Sequence, residues 1–585
     1  LTPEQESMQI SVRDYWGAEQ ADPVSHRLSL TKAESGYYVY EAALDVGALT
    51  GKTFDVGRYI EVHVAIPRPG REPFKEQTTF AIVPEPITRQ YSPREIPFTA
   101  RNWDNRVLDY VYLSDRLGIR QIGTHGGWSS EAPYKPTVYS FRRLNEMGIG
   151  MVGRSPLFVV EREGFEGLSL EGVAQGASNW IETFGSESML WITLGNEPHG
   201  GLEEAKRNTQ AYKAAYEAIK AKRPDFQVIG TSIGPNEDYF KAGFQDYQDV
   251  YDVHTYEDYD RLPLLFERYE QLFEKYGGRK PICSTEIGLN SQGLSRQAVA
   301  QMLIKKETIF FACGGTHVGW FTIAYPDRDG SQSAGSRQAF NVFSGKYGHY
   351  APKLDAVTYY HYLNSIAVKK FQEQKIYPDG TRCYLFKDKD GNCLQVVWND
   401  LEDKQVFLPL SGVGTVKTTF LDGREVTLQA AGEGISLDVS RDPILVAYEH
   451  ANPALPAALG SPQVVIDHLP EDVIKGTSTS VLLKGEVKPE ELSIIAPYGW
   501  SVATSSVNNG VVLSLTVPRE TEALEGRILV MINKENQPNG VLDLGLTLAG
   551  IAGARLHPMA ANTENGPGVR LELFNNNTES ETIEW

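Results

Sequence analysis

The chain has few cysteines, no long apolar run and little positive charge, and each of these absences excludes a class of protein. Four cysteines in 585 residues are too few and too scattered for a disulfide framework or a zinc knuckle, so we expect small buried apolar thiols. No run of eighteen apolar residues occurs, which argues against membrane insertion. A formal net charge of −19 disfavours nucleic acid and anionic surfaces as partners.

Motifs that would indicate a metal or a nucleotide cofactor are also missing. The 11 histidines are spread along the chain without an HxH or HExxH pair, so no metal site is expected. Neither GxGxxG nor GxxxxGK[ST] follows the first strand of the central region, which argues against a dinucleotide or nucleoside triphosphate site. We therefore expect a chemistry that side chains perform alone, without a cofactor.

At 585 residues the chain is too long for one hydrophobic core, and its strand and helix patterns divide it into four domains. Short alternating strands between Gly- and Pro-rich turns predict a β-sandwich over residues 1–95. Strands alternate with amphipathic helices over 96–366, which is typical of βα units. Alternating strands resume over 367–450 and, after a Pro- and Ala-rich linker, over 463–585. These two stretches predict further β-sandwich domains, the last of them truncated.

The central region contains eight predicted strands, most of them followed by an amphipathic helix. Eight strand-helix units over roughly 230 residues fit a closed (β/α)8 barrel, that is, a TIM barrel. An open doubly wound sheet would alternate in the same way, but the nucleotide motifs typical of it are absent. The strands are predicted at Phe98–Asn102, Arg120–Gly126, Gly148–Pro156, Met189–Asn196, Gln227–Gly234, Asp249–Tyr256, Pro281–Gly288 and His317–Tyr325.

Two glutamates follow strands on opposite sides of this predicted barrel. The fourth strand leads into the segment Gly195-Asn196-Glu197-Pro198, and the seventh leads into Glu286. Barrel enzymes carry their active sites at the C-terminal ends of the strands, so both carboxylates are expected at one mouth. Hydrolysis of a glycosidic bond needs such a pair, one acid for the leaving oxygen and one carboxylate for the oxocarbenium-like carbon. A single glutamate would more simply cap a helix, but the pair predicts catalysis.

On these residues the sequence resembles glycoside hydrolase clan A, whose members carry Asn-Glu, often Asn-Glu-Pro, after strand four and a second Glu after strand seven. The resemblance implies a retaining β-glycosidase in which Glu197 is the acid/base and Glu286 the nucleophile, while Asn196 hydrogen-bonds the sugar 2-hydroxyl. The order of sandwich, barrel and sandwich looks most like family 39. Gly195 departs from that family, which commonly has an aromatic residue there, so families 5, 2 and 42 stay open.

Further residues at the strand ends are candidates for substrate binding. Strand six closes with His254 and Tyr256, and the resemblance implies that both line the glycone subsite, with the tyrosine hydroxyl supporting the nucleophile. Trp320 on strand eight is a candidate platform for a sugar face. The alternatives are core packing for Trp320 and a backbone hydrogen bond for His254. Weaker candidates, explained equally well by salt bridges or helix caps, are Arg101, Asn102, Trp103, His125, Trp128, Arg154 and His199.

The expected mechanism is double displacement on β-linked oligo- or polysaccharides, with net retention of the anomeric configuration. Burial and the neighbouring negative charge are expected to raise the pKa of Glu197, so that it can protonate the leaving oxygen. Retention predicts carboxyl groups about 5 to 5.5 Å apart, whereas inversion needs about 6.5 to 9.5 Å. Although no signal-like segment starts the given chain, a cleaved leader would explain its absence. We therefore expect a secreted, periplasmic or cell-surface protein.

A non-catalytic carbohydrate-binding protein on the same scaffold is the alternative, because a fold does not fix a function. The retained carboxylate pair argues against it, since binding alone needs no two acidic groups held close together.

Overall fold

The computed structural model describes most of the chain between residues 7 and 575. The described residues are 7–27, 29–32, 38–41, 56–68, 70–100, 108–125, 144, 146–155, 157, 161, 169–185, 189–324, 337–345, 350–431, 433–534, 537–550, 552–562 and 566–575.

The N-terminal region forms an antiparallel sheet, as its alternating pattern predicts. Its strands are β1 (Ser7–Arg13), β2 (Val24–Arg27), β3 (Ser29–Lys32), β4 (Tyr38–Glu41), β5 (Ile60–Arg68) and β6 (Arg71–Phe80). Four of them pair in the order β2-β1-β5-β6, and β3 and β4 form a separate hairpin. Met8 and Ile10 on β1 pack with Val62 on β5, because every second side chain faces the same side of a strand.

The central region is a parallel eight-stranded barrel, which confirms the predicted fold class. Its strands are β7 (Thr99–Ala100), β8 (Gln121–His125), β9 (Gly150–Arg154), β10 (Met189–Thr193), β11 (Gln227–Ser232), β12 (Val250–Thr255), β13 (Ile282–Gly288) and β14 (Gly315–Phe321). The barrel closes where the Val318 amide donates to the Pro97 carbonyl oxygen at 2.8 Å, beside a parallel bridge between Phe98 and Val318. A separate cluster that includes Val152, Ile229 and Cys283 joins β9 to β13, and these apolar residues fill the barrel below its polar mouth.

Helices surround the strands and bury their apolar faces in the largest hydrophobic core. They are α1 (Leu108–Leu117), α2 (Leu170–Phe184), α3 (Leu202–Lys222), α4 (Glu237–Lys241), α5 (Leu262–Tyr276), α6 (Arg296–Ala312) and α7 (Leu354–Ile366). Ser295 caps α6 by accepting a hydrogen bond from the Ala298 amide at 3.1 Å, which satisfies one of the open donors of the first turn. Within the described residues, no helix is long and apolar enough to cross a membrane.

Short 3-10 helices and two short strands complete the barrel region. The 3-10 helices are Ile87–Gln90, Pro93–Glu95, Phe244–Tyr247, Tyr259–Arg261 and Arg337–Phe340, and a further one lies downstream at Pro489–Glu491. The short strands β15 (Phe343–Ser344) and β16 (Ala351–Pro352) pair with each other after the last barrel strand.

Two β regions follow the barrel. The first contains β17 (Lys370–Ile376), β18 (Thr381–Lys387), β19 (Asn392–Asn399), β20 (Lys404–Pro409), β21 (Thr415–Thr419), β22 (Glu425–Gln429), β23 (Gly434–Val439) and β24 (Ile444–Glu449). The second contains β25 (Val464–His468), β26 (Val473–Ile474), β27 (Ser478–Gly485), β28 (Leu492–Ile495), β29 (Ser501–Val507), β30 (Gly510–Thr516), β31 (Glu525–Lys534), β32 (Gln537–Ala549), β33 (Ala552–Asn562) and β34 (Gly566–Asn575).

One sheet belongs to both β regions. Its order is β20-β23-β32-β31-β28, and β23 pairs with β32 in parallel through Ser436 with Gly540 and Leu437 with Val541. Leu529 and Val541 also pack in the hydrophobic core of the first region. The sequence predicts two separate sandwiches here, and their bounds stay predictions. The pairing shows that the two regions are joined by a continuous sheet.

A buried ionic network connects the N-terminal region with both β regions. Arg424 donates from Nε to Asp422 at 2.6 Å, and its two terminal nitrogens donate to the Asp543 carboxylate at 3.1 and 2.9 Å. Trp16 donates from Nε1 to Asp422 at 3.1 Å. Arg527 also donates to Asp543, and its guanidinium lies 4.0 Å above the centre of the Trp16 ring. Three regions of the chain therefore depend on one set of charges.

Candidate active site

The two predicted catalytic glutamates converge at the mouth of the barrel. Glu197 follows β10, the fourth barrel strand, and Glu286 lies on β13, the seventh. A carboxylate oxygen of Glu197, the Nδ1 atom of His254 and a carboxylate oxygen of Glu286 all lie within 4.8 Å of one another. The side chain of Glu197 is 43% exposed and that of Glu286 is 5% exposed. The pair is therefore asymmetric, with one carboxylate open to solvent and one enclosed.

His254, on β12, lies between the two carboxylates. Its Nδ1 atom is 2.8 Å from Glu197 Oε1 and 3.4 Å from Glu286 Oε2, and its Nε2 atom is 3.0 Å from Thr285 Oγ1. Both described ring contacts are with side chains, whereas the alternative drawn from the sequence was a histidine bonded to backbone. His254 therefore links the two carboxylates.

Tyr256 holds the enclosed carboxylate. Its hydroxyl donates to Glu286 Oε2 at 2.9 Å. Phe321 and Phe340 contact the Tyr256 ring edge to face, with centroid separations of 6.0 and 5.7 Å. These two phenylalanines also contact each other, at 5.5 Å, so they form an aromatic wall beside Glu286. The sequence does not point to Phe340, because its strand-poor context carries no motif.

A buried carboxylate, Glu161, supports the turn that carries Glu197. It accepts hydrogen bonds from the Asn196 amide and from Thr231 Oγ1, both at 2.8 Å, and from the Tyr212 hydroxyl. Burial raises the pKa of Glu161. Sequence reasoning missed this residue, because a lone glutamate in a loop between strand and helix carries no recognisable pattern.

Glu161 also explains why glycine precedes Asn196. A Cβ atom on Gly195 would lie 1.7 Å from Glu161 Oε1 and 2.5 Å from Thr231 Oγ1, so no larger side chain fits. The aromatic residue that family 39 commonly has at this position is therefore excluded here by a carboxylate that occupies its space.

Replacing Gly195 with alanine is expected to lower the free energy of unfolding by about 1 to 3 kcal/mol, because the new methyl group meets a carboxylate fixed by three hydrogen bonds. Urea unfolding followed by tryptophan fluorescence measures the effect. Gly414→Ala is the matched control, since a Cβ there meets nothing within 4 Å. Equal stability of the two variants would contradict the packing described for Glu161.

Glu197 has left-handed backbone geometry, with a φ of 51°. This conformation costs a side-chain-bearing residue roughly 1 to 3 kcal/mol and persists only where the surroundings hold it. Here the Glu197 amide donates to Ser232 Oγ at 3.0 Å, while Glu161 holds the preceding amide. The turn therefore fixes where the Glu197 carboxylate points.

The electrostatics of Glu197 correct one expectation. The sequence predicts a raised pKa for this residue, but the hydrogen bond from His254 lowers the pKa of Glu197 more than burial raises it. The charges of His254, His199 and Arg154 act in the same direction. The expectation was wrong because the cation-forming partner on β12 could not be located from sequence spacing.

The other predicted substrate-binding residues fall into three groups. Asn196 is buried next to Glu197, and its Oδ1 atom has no hydrogen-bond partner among the residues described. Arg154 is 9% exposed at the end of β9. Trp320 is 1% exposed, pairs with Ile287 and lies with it in the large core, which favours the packing alternative over a sugar platform. Arg101, Asn102, Trp103 and Trp128 lie outside the described residues, and only the backbone of His125 is described.

The three central side chains are also the ones whose ligand atoms are close enough to hold a cation. Two ligand atoms of a tetrahedral zinc ion lie about 3.4 Å apart. The separation of 2.8 Å between His254 Nδ1 and Glu197 Oε1 is instead that of a hydrogen bond. The arrangement therefore fits proton transfer better than metal binding.

No protein-family model and no curated protein matches the chain. A solved family 39 glycoside hydrolase from the gut symbiont Bacteroides cellulosilyticus WH2 is similar, with a TM-score of 0.55 and 16% identity over 76% of this chain and 95% of that chain. The catalytic domain of xylanase C from Talaromyces cellulolyticus has a TM-score of 0.43 and 11% identity over 60% of this chain and 96% of its own. A β-porphyranase of family 86 from Bacteroides plebeius has a TM-score of 0.42 and 14% identity, covering 78% and 95%. The predicted likeness to these hydrolases is confirmed, and the chain has the fold seen in the family 39 structure, a (β/α)8 barrel with β-sandwich domains.

Proposed function

We propose that this chain is a retaining glycoside hydrolase that cleaves β-linked oligo- or polysaccharides through a glycosyl-enzyme intermediate. The observation that carries the proposal is the approach of Glu197 and Glu286 to within 4.8 Å across one barrel mouth. Retaining enzymes hold their carboxyl groups about 5 to 5.5 Å apart, whereas inverting enzymes leave about 6.5 to 9.5 Å for a water molecule. The close approach supports direct attack by a carboxylate.

The different environments of the two carboxylates support different roles. Glu286 is enclosed and accepts a hydrogen bond from Tyr256, which holds one oxygen and aims the other. Those are the needs of a nucleophile, because attack requires an oriented, ionised oxygen. Glu197 is 43% exposed, so it can reach a leaving oxygen that departs toward solvent. We assign Glu286 as nucleophile and Glu197 as acid/base.

The reaction then runs in two steps. Glu286 bonds to the anomeric carbon while the bond to the leaving oxygen breaks and Glu197 protonates that oxygen. Water next attacks the anomeric carbon and gives a proton to Glu197, and Glu286 leaves as a carboxylate. Two inversions at one carbon give net retention.

Several residues around the pair are proposed to bind the sugar. The buried Oδ1 atom of Asn196 can accept a hydrogen bond from a hydroxyl, which supports the contact with the 2-hydroxyl. Tyr256, His254 and Arg154 surround the same space. Arg101, His125 and Trp128 stay predictions, as does a secreted, periplasmic or cell-surface location.

A screen of aryl β-glycosides and β-linked polysaccharides is expected to reveal hydrolysis, and proton NMR of the first product is expected to show the β-anomer before mutarotation. The β-anomer forms because the covalent intermediate inverts the configuration twice. Release of the α-anomer from a β-glycoside would refute the retaining mechanism.

A further inference from the structure

His254 lies where two hydrogen-bond networks meet, and each ring nitrogen belongs to a different one. On the Nδ1 side, Glu197 Oε1 is 2.8 Å away and Glu286 Oε2 is 3.4 Å away. On the Nε2 side, Thr285 Oγ1 is 3.0 Å away and Asp252 Oδ2 is 3.8 Å away. The His254 side chain is 5% exposed, so these groups rather than solvent decide where its protons lie.

The lower network fixes the proton on Nε2. Asp252 is fully enclosed and accepts from Thr285 twice, from the hydroxyl at 2.6 Å and from the amide at 2.8 Å. A hydroxyl has one proton to donate, and that of Thr285 is committed to Asp252. The contact between His254 and Thr285 therefore requires the proton to be on Nε2, with Thr285 Oγ1 as the acceptor.

The upper contact then requires a second proton. With Nε2 protonated, the 2.8 Å contact between Nδ1 and Glu197 Oε1 is attractive only if one of the two atoms carries a hydrogen, because two lone pairs at that distance repel. We propose that this hydrogen is the acid proton of the reaction, shared between Glu197 and His254, and that Asp252 and Thr285 are positioning residues that keep it there.

The inference rests on the proposed function for its chemistry. When Glu286 bonds to the anomeric carbon and the leaving oxygen departs, the shared proton moves to that oxygen. When water attacks the anomeric carbon and Glu286 leaves, one proton of that water returns to the pair of Glu197 and His254. Protons and electron pairs balance over the two steps, and His254 keeps its Nε2 hydrogen throughout.

A shared proton also resolves the electrostatics of the acid. The hydrogen bond from His254 lowers the pKa of Glu197, which on its own would weaken an acid catalyst. Coupled groups lose protons as a unit, so the pair can hold a proton that Glu197 alone would release. The other titratable or charged groups around the pair are Arg154 and His199, whose charges act on Glu197, and Tyr256, which donates to Glu286.

The test compares leaving groups in a Thr285→Val variant, which keeps the side-chain shape and removes the hydroxyl. On phenyl β-glycosides, whose leaving group needs a proton, kcat/KM is expected to fall about 10-fold or more. On 2,4-dinitrophenyl β-glycosides, whose leaving group departs unprotonated, the loss is expected to be small. A loss of equal size on both substrates would overturn the proposal, since a general structural defect acts on every substrate alike.

The neighbouring hydroxyl provides a matched control. Ser284 Oγ donates to the Val253 carbonyl oxygen at 2.6 Å and is buried like Thr285, but it has no contact with His254. Ser284→Ala is therefore expected to leave the ratio of the two kcat/KM values unchanged. A wild-type chain that cleaves neither glycoside would speak against the proposed function, and the proton position would then be decided by the following measurement.

Nitrogen-15 NMR of the full chain with labelled histidine reads the proton position without any substrate. The His254 signal is identified by its loss in His254→Gln. In the wild type we expect a hydrogen on Nε2, and in Thr285→Val we expect a changed ratio of the two ring tautomers. A wild-type His254 without a hydrogen on Nε2 would overturn the proposal.

Discussion

Replacing Glu286 with glutamine is expected to lower kcat for glycoside hydrolysis by about 10⁴-fold or more. Glutamine has the size of glutamate and can still accept the Tyr256 hydrogen bond, so the barrel mouth keeps its shape. Its amide oxygen cannot form a stable ester with the anomeric carbon, and the covalent intermediate is lost. The rate is measured on an aryl β-glycoside that the wild type cleaves, and binding of the product sugar is measured by calorimetry.

Glu203→Gln makes the same chemical change on the surface of α3, where the Glu203 side chain is 82% exposed, and should leave kcat unchanged. A chain that binds sugar equally well with and without Glu286, and hydrolyses nothing in either form, would instead favour the non-catalytic alternative. Full hydrolysis by Glu286→Gln would refute the assignment of the nucleophile.

Replacing Arg424 with alanine is expected to lower the free energy of unfolding by about 3 to 5 kcal/mol, which is large against the total stability of a domain. The side chains of Arg424, Asp422 and Asp543 are 11%, 4% and 7% exposed. Removing the guanidinium leaves two carboxylates enclosed without their shared cation, and that desolvation is what the substitution costs. The effect is measured as the shift of the urea midpoint.

A surface ion pair serves as the comparison for Arg424. Lys206 pairs with Glu203 at 2.7 Å, with its own side chain 51% exposed, and Lys206→Ala should change the free energy of unfolding by no more than about 0.5 kcal/mol. A small shift in both variants would mean that the junction between the N-terminal and β regions is held by apolar packing instead of by charge.

The barrel and its two glutamates could be predicted because their signals are local. Each barrel strand is a short apolar run between polar loops, and both glutamates follow such runs directly, so strand order alone brings them to one mouth. The same local reasoning fails for Trp320, because facing the mouth or facing the helices differs by a single residue of register.

Residues that act through distant contacts could not be predicted. Glu161 touches Asn196 across a separation of 35 residues, and nothing in either segment signals the contact. The direction of the Glu197 pKa shift depends on His254, which lies 57 residues away on another strand. The parallel pairing of β23 with β32 joins segments about a hundred residues apart, and parallel pairs leave no turn signal between them.

That pairing has a consequence for how the β regions can be separated. A chain cut after residue 450 would keep β23 without β32, and backbone groups of Gly434–Val439 that β32 now covers would face water. It would also lose Leu529 and Val541, which fill part of the remaining core. Uncovered strand edges recruit strands from other molecules. The last β region therefore shields its neighbour from self-association and is no detachable appendage.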